Sequence, residues 1–245
     1  MCRHLVWLGE PVTLASLVLE APWSLLRQAY APRHQEHGVV NADGFGVGWF
    51  VSSRPEPVRY RRAQPVWGDA SFASFAPTVS SGCVLAAVRD ATPGFSASDE
   101  SSAAPFLHGR WLFSHAGALA DWPRARRELV HRTLDVPEAA AAVDSALLFG
   151  VAAAAWRAGA SLGEGLAECV QAAEAVGGGR LCLLAADGDR VAATTGGDSL
   201  FLRESPTGVL LASEPLDEDP CWRRLPAGQL VEGGPDGLDV IALPT

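Results

Sequence analysis

Residues 137–187 read PEAAAAVDSALLFGVAAAAWRAGASLGEGLAECVQAAEAVGGGRLCLLAAD. Two textures meet in this stretch. Alanine-rich segments over 137–158 and 163–176 have helical character, punctuated by Gly159 and Gly163. Past GGGR at 177–180 the chain turns to LCLLAAD, an apolar run of strand length. A helical pair therefore gives way to strands at one defined point.

Strands lie on both sides of that point. Downstream come RVAATT, SLFLRE, GVLLAS, QLVEGG and LDVIALP, with Asp187-Gly188 as a hairpin signal between the first two runs. Upstream, FGVGWFV at 45–51, CVLAAV at 83–88 and WLFSH at 111–115 read as strands, the last ending at Ala116-Gly117. Residues 12–30 predict a helix, a break at Pro22 and a short second helix. Strands, a helical pair and strands again suit an α+β layered domain better than alternating βαβ units. With no internal repeat and no Pro/Ser-rich linker, one domain over 2–245 is expected.

Totals narrow the class. The chain has 245 residues, 48% of them hydrophobic, enough for a sizeable core. Its net charge is −9 and all 19 basic residues are arginine, an acidic balance that argues against nucleic acid. The one basic run, RYRR at 59–62, reads as a solvated strand end. No signal peptide and no apolar run near 18 residues is visible, so no membrane partner is expected. Five cysteines (2, 83, 169, 182, 221) form no CxxC pair. They suggest neither a disulfide framework nor a zinc site, and they fit a reducing cytoplasm.

The chain opens MCRH. An initiator methionine before a small residue is commonly trimmed, which would leave Cys2 with a free amine beside its thiol. Such an amine has a pKa near 7.7–8.0 and a free thiol about 8.5, so proton transfer between them is cheap near neutrality. Three stretches could complete a site around it: RDATP at 89–93, SHAG at 114–117 and VDS at 143–145. Arg89 could fork onto a carboxylate or make a structural salt bridge. Asp144 could take an ammonium or simply favour a helix start.

With these residues in view, the chain resembles the class II glutamine amidotransferases, among the N-terminal-nucleophile hydrolases. The strings that carry the likeness are MCRHLVWLG, YAPRHQEHGVVNADGFGVGWF, WGDASF, VLAAVRDATPG, PFLHGRWLFSHAG, VDSALL and VLLASEPLDED, in order along nearly the whole chain. More narrowly it looks like the branch that cleaves γ-glutamyl hercynylcysteine sulfoxide in ergothioneine biosynthesis. The resemblance implies a four-layer αββα sandwich with two antiparallel sheets. It implies Cys2 as nucleophile with its own amine as base, and Gly117 as backbone donor to the oxyanion. Arg89, helped by Thr92, would hold the substrate α-carboxylate and Asp144 its ammonium, with His115 also at the substrate. A small γ-glutamyl substrate is implied, with no metal and no cofactor; a homodimer is compatible with it.

One position departs from the family's His-Asn-Gly. Here the string is His115-Ala116-Gly117, and alanine has no donor to give. A water or another side chain is the expected substitute, with a slow but adequate enzyme or one that has lost activity and kept the pocket as the alternatives. For the function as a whole the alternatives are a glutaminase subunit feeding a separate synthase and an inactive γ-glutamyl-binding protein. His34 and His37 read as a polar loop, and ASEPLDED at 212–219 as a solvated one, with Ser213 and Glu214 near the site as the alternative. His4 either lines the pocket or orients the N-terminus. The glycines at 44, 46 and 48 read as backbone that must approach substrate.

Overall fold

The computed structural model describes residues 2–91, 94–234 and 237–243. Its strands are β1 (Arg3–Thr13), β2 (Phe45–Trp49), β3 (Val58–Arg62), β4 (Ser80–Val88), β5 (Phe106–His108), β6 (Trp111–Leu119), β7 (Gly179–Ala186), β8 (Val191–Thr194), β9 (Phe201–Ser205), β10 (Gly208–Ala212), β11 (Arg223–Arg224), β12 (Gln229–Gly234) and β13 (Gly237–Ala242). Its α-helices are α1 (Leu25–Tyr30), α2 (Ala70–Phe75), α3 (Trp122–Leu129), α4 (Asp144–Arg157) and α5 (Leu162–Ala175).

The strands form two antiparallel sheets. One runs β11-β9-β10-β1-β4-β2-β3 and the other β13-β12-β8-β7-β6-β5. Alternation along each strand divides the apolar residues into three layers. On β1, Val6 faces inward and packs with Leu85, Leu112, Ala116, Cys182 and Leu184 between the sheets. Leu5 and Trp7 face outward and are covered with Phe45, Phe72 and Val84 on the helical side of the larger sheet. On the other outer face, Phe113 and Leu183 pack under Phe149, Leu166 and Ala173. The order is helix, sheet, sheet, helix, the expected sandwich.

Local chemistry explains the helices. α4 carries apolar residues all round and is accordingly buried nearly all round. α5 starts at Ser161, whose side chain accepts from the Glu164 amide while Glu164 reaches back to the Ser161 amide, a complete capping box. Among the described residues no helix is long and apolar enough to cross a membrane.

Several expectations need correction. The helix predicted from residue 12 yields to β1, which continues through Thr13 before a short helical turn at Ser16–Glu20. Pairing with β4 wins there, since Val12 and Thr13 lie opposite Ser81 and Ser80. The strand expected to stop at Ala116-Gly117 runs on to Leu119, held along its length by β7. Arg59 and Arg61 are not a solvated end; both reach Glu138, which also accepts the Leu107 amide. The glycines of β2 serve packing rather than ligand. A Cβ at Gly46 would lie 2.4 Å from the Ala104 carbonyl oxygen, and one at Gly48 would lie 2.6 Å from Leu112.

Candidate active site

Four elements converge at one end of the sandwich. β1 begins there just after Cys2, β4 ends there before Arg89, β6 passes through with His115 and Gly117, and α4 starts there with Asp144. Cys2, Arg89, Asp90, Ser102, His115, Gly117, Asp144 and Ser145 line one cavity. Of the residues singled out in the sequence, Cys2, Arg89, His115, Gly117 and Asp144 are therefore together. Thr92 and Met1 lie outside the described residues.

Arg89 is aimed by backbone. Its amide donates to the Gly44 carbonyl at 2.7 Å, and its guanidinium donates to the carbonyls of Ser96 at 2.8 Å and Asp43 at 3.3 Å. None of these partners is a carboxylate, so the structural salt bridge considered for Arg89 is not what holds it. The Asp43 side chain accepts the Ala91 amide at 2.8 Å and so fixes the turn after the strand. Sequence reasoning missed Asp43; the signal was present in NADG at 41–44.

Asp144 is the first residue of α4, where the helix dipole favours a carboxylate. It is almost wholly buried, and it accepts the amides of Leu119 at 3.0 Å and Ser145 at 2.8 Å. The Leu119 contact also orients Gly117. Amides two apart on a strand point the same lateral way. The Leu119 N–H points away from β7 toward Asp144, so the Gly117 N–H points to the same open edge of β6. β5 has already ended there, since it pairs only with residues 111–113.

His115 is held at both ring nitrogens. Its Nε2 lies 2.9 Å from the Arg180 carbonyl oxygen, an acceptor only, so that nitrogen carries the proton. Nδ1 then accepts from the Ser145 hydroxyl at 3.0 Å. Both ring nitrogens are hydrogen-bonded within the protein, while the ring lines the same cavity as Cys2. His4 does not line the cavity. It is fully buried between the sheets, with Nδ1 at 3.0 Å from Ser114 Oγ and Nε2 at 3.5 Å from Cys182 Sγ. Burial first, then Arg3 and His115, hold its pKa well below the usual histidine value.

The Cys2 thiol is pushed up in pKa by burial. A hydrogen bond with the Asp90 backbone and the Arg89 guanidinium oppose that shift, and Asp144 adds to it. The sulfur therefore rests as a thiol near neutrality and needs a base beside it. Buried Cys83 and Cys182 are raised to about 12 by desolvation and are inert core residues.

Ala116 alternates away from its neighbours. It is fully buried in the inter-sheet cluster, against which Cys2 also packs. Ala116→Asn is expected to cost about 1–3 kcal/mol, because an amide would enter a filled apolar layer. Thermal unfolding checks this, with a midpoint lowered by roughly 2–4 °C per kcal/mol. Glu214, expected in a solvated loop, is fully buried instead and accepts the amides of Arg33 and His34. His34 packs its ring on Phe201. Among the described residues no group of three or more His, Cys, Asp or Glu could hold a metal ion.

No family model matches the chain. Relatives do. Over 232 residues, 95% of each chain, it is 48% identical to the gamma-glutamyl-hercynylcysteine sulfoxide hydrolase of Mycolicibacterium smegmatis. Over 246 residues, 99% of this chain and 97% of the other, it is 44% identical to the protein of that name from Mycobacterium tuberculosis. Among solved structures it resembles a glutamine aminotransferase class-II domain protein from Silicibacter pomeroyi, with TM-score 0.71, 24% identity and full coverage of both chains. It also resembles the glutamine phosphoribosylpyrophosphate amidotransferase of B. subtilis, with TM-score 0.71 and 13% identity, covering all of this chain and 49% of that one. These structural likenesses fix the fold, and the sequence identities fix the family. The chain belongs to the gamma-glutamyl-hercynylcysteine sulfoxide hydrolase family, built on the class II glutamine amidotransferase fold.

Proposed function

We propose that residues 2–245, freed of Met1, act as a single-domain amidohydrolase on γ-glutamyl hercynylcysteine sulfoxide in ergothioneine biosynthesis. The observation that carries the reading is one cavity holding Cys2 beside two buried charged residues, Arg89 just past the end of β4 and Asp144 at the start of α4. A γ-glutamyl group has a carboxylate and an ammonium on one carbon. Arg89 takes the first as a fork and Asp144 the second, and Thr92 assists Arg89. The amide carbonyl then lies over Cys2.

The α-amine of Cys2 removes the thiol proton as sulfur attacks the carbonyl carbon. The oxyanion forms toward the Gly117 N–H. The amine's proton passes to the leaving nitrogen, the C–N bond breaks, and the hercynylcysteine sulfoxide departs. A glutamyl thioester remains on Cys2. Water, deprotonated by the same amine, attacks it and releases glutamate. Water is the acceptor in this reading, as the names of the relatives, all hydrolases, support. The relatives' names are those of hydrolases, so neither the glutaminase subunit nor the inactive binder is favoured. The compartment proposed is the reducing cytoplasm, where the free cysteines stay reduced.

The test uses protein whose loss of Met1 is established by intact mass. It is given the γ-glutamyl sulfoxide and, separately, glutamine. Glutamate release with the higher kcat/KM on the sulfoxide is expected. A higher value on glutamine would replace this reading with a glutaminase.

A further inference from the structure

The N-terminal strand is held by a buried charge cluster that the proposed chemistry does not use. Arg3 is fully buried. Its Nε donates to the carbonyl oxygen of Cys2 at 3.0 Å. Its Nη2 is hydrogen-bonded and ion-paired to Asp198 Oδ2, and its Nη1 lies 3.7 Å from Glu214 Oε1. The two carboxylates come from different places: Asp198 from the loop between β8 and β9, Glu214 from the segment after β10. Glu214 is itself fixed by the Arg33 and His34 amides at 2.7 and 3.0 Å. One residue earlier, Ser213 accepts the His4 amide at 3.0 Å and donates its own amide to the His4 carbonyl at 2.9 Å. On its other side Arg3 stands in register with Val88, the residue before Arg89.

Taking a guanidinium wholly out of water is costly unless its partners are well placed. This cluster is not optimised for stability. Arg3 Nη1 and Asp198 Oδ1 have no hydrogen-bond partner among the described residues. What the arginine does accomplish is local. Its Nε hydrogen bond fixes the plane of the Cys2–Arg3 peptide. That plane fixes the position of the Cys2 α-carbon, which carries both the amine and the thiol-bearing side chain, and leaves them only the torsions beyond it. Chain termini otherwise fray unless they are tied down.

We propose that Arg3, braced by Asp198 and Glu214, is a positioning group for the N-terminal nucleophile. The cluster holds the Cys2 amine and sulfur against the Gly117 edge while Arg89 and Asp144 hold the substrate. The two functions are separable. Removing the brace misplaces the nucleophile and leaves the glutamyl clamp intact. The inference rests on the thiol chemistry proposed above.

The experiment compares trimmed wild type with Asp198→Asn, which leaves Arg3 and Glu214 as a neutral pair. Glu214→Gln is the second variant. The readouts are kcat and KM on the γ-glutamyl sulfoxide, and the rate and final stoichiometry of Cys2 alkylation by a chloroketone analogue of glutamine. A fall in kcat of about tenfold to a hundredfold is expected, with KM within about twofold. Alkylation slows in step with kcat yet still reaches one label per chain. The proposal is overturned by unchanged kcat, by a rise in KM alone, or by labelling stoichiometry lost in proportion to turnover. It is also overturned if neither variant folds, since the cluster would then serve the fold. If wild type releases no glutamate from the sulfoxide, the substrate reading fails, and the alkylation rates still decide the role of Arg3.

Discussion

Cys2→Ala protein releases no glutamate above background and traps no glutamyl thioester. The thiol is the nucleophile that the proposed reaction pairs with a terminal amine; among the described residues of the cavity, the hydroxyl of Ser102 is tied to Asp99 and that of Ser145 to Asp144 and His115. The methyl group of alanine cannot attack, while the initiator methionine is still trimmed before so small a residue. Turnover falls by a factor on the order of 10⁴ or more, the scale of removing a nucleophile elsewhere. Stability changes little, because Cys2 is only half-buried at the margin of the inter-sheet cluster. A shift of about 1 kcal/mol or less is expected. Glutamate assay, mass spectrometry of acid-quenched protein and thermal unfolding together check it. Activity within tenfold of wild type would end the Cys2 mechanism.

Gly117→Ala affects both fold and rate. A Cβ there would lie 1.8 Å from the Arg180 carbonyl oxygen and 2.5 Å from His115 Nε2. Those two atoms are each other's hydrogen-bond partners, at 2.9 Å. Backbone on the neighbouring strand cannot swing aside as a long side chain can. β6 and β7 must part locally, the His115–Arg180 hydrogen bond breaks, and the Gly117 N–H moves from the oxyanion position. Overpacking of this kind costs about 1–3 kcal/mol and sometimes more. Losing one oxyanion donor costs roughly 10²–10³ in turnover. Folded Gly117→Ala protein should therefore show a lower unfolding midpoint and a kcat reduced by that factor. A variant that unfolds at the wild-type temperature and turns over normally would remove Gly117 from the reaction.

The helical pair was legible because α4 and α5 are long and their ends are marked chemically, by Gly159 and by the capping box of Ser161 and Glu164. Strands of four to eight apolar residues after Gly178 were equally plain. β1 was not, because VTLASLVL offers helical spacing at the point where pairing with β4 still holds the chain extended. Cys2, Arg89, Gly117 and Asp144, which share one cavity, could be singled out from their motifs. The contacts of Asp43, Ser145 and Arg3 could not, since local spacing does not encode them. Arg3 meets Asp198 and Glu214 from across the chain. The glycines of β2 show the same limit from the other side. A period-two glycine face says that something comes close; only coordinates say that it is Ala104 and Leu112 rather than a ligand.

β5 pairs with only the first three residues of β6, and α4 takes up the edge again at Leu119 through Asp144. Between them lies a short gap in an otherwise completed ladder. An unfinished sheet margin ordinarily invites a second polypeptide to add itself. Here the vacancy is too short for a peptide, and a charged side chain stands at its far end. In the proposed reaction it takes a single carbonyl group instead, so a defect that elsewhere seeds aggregation would serve as a mould for one small guest.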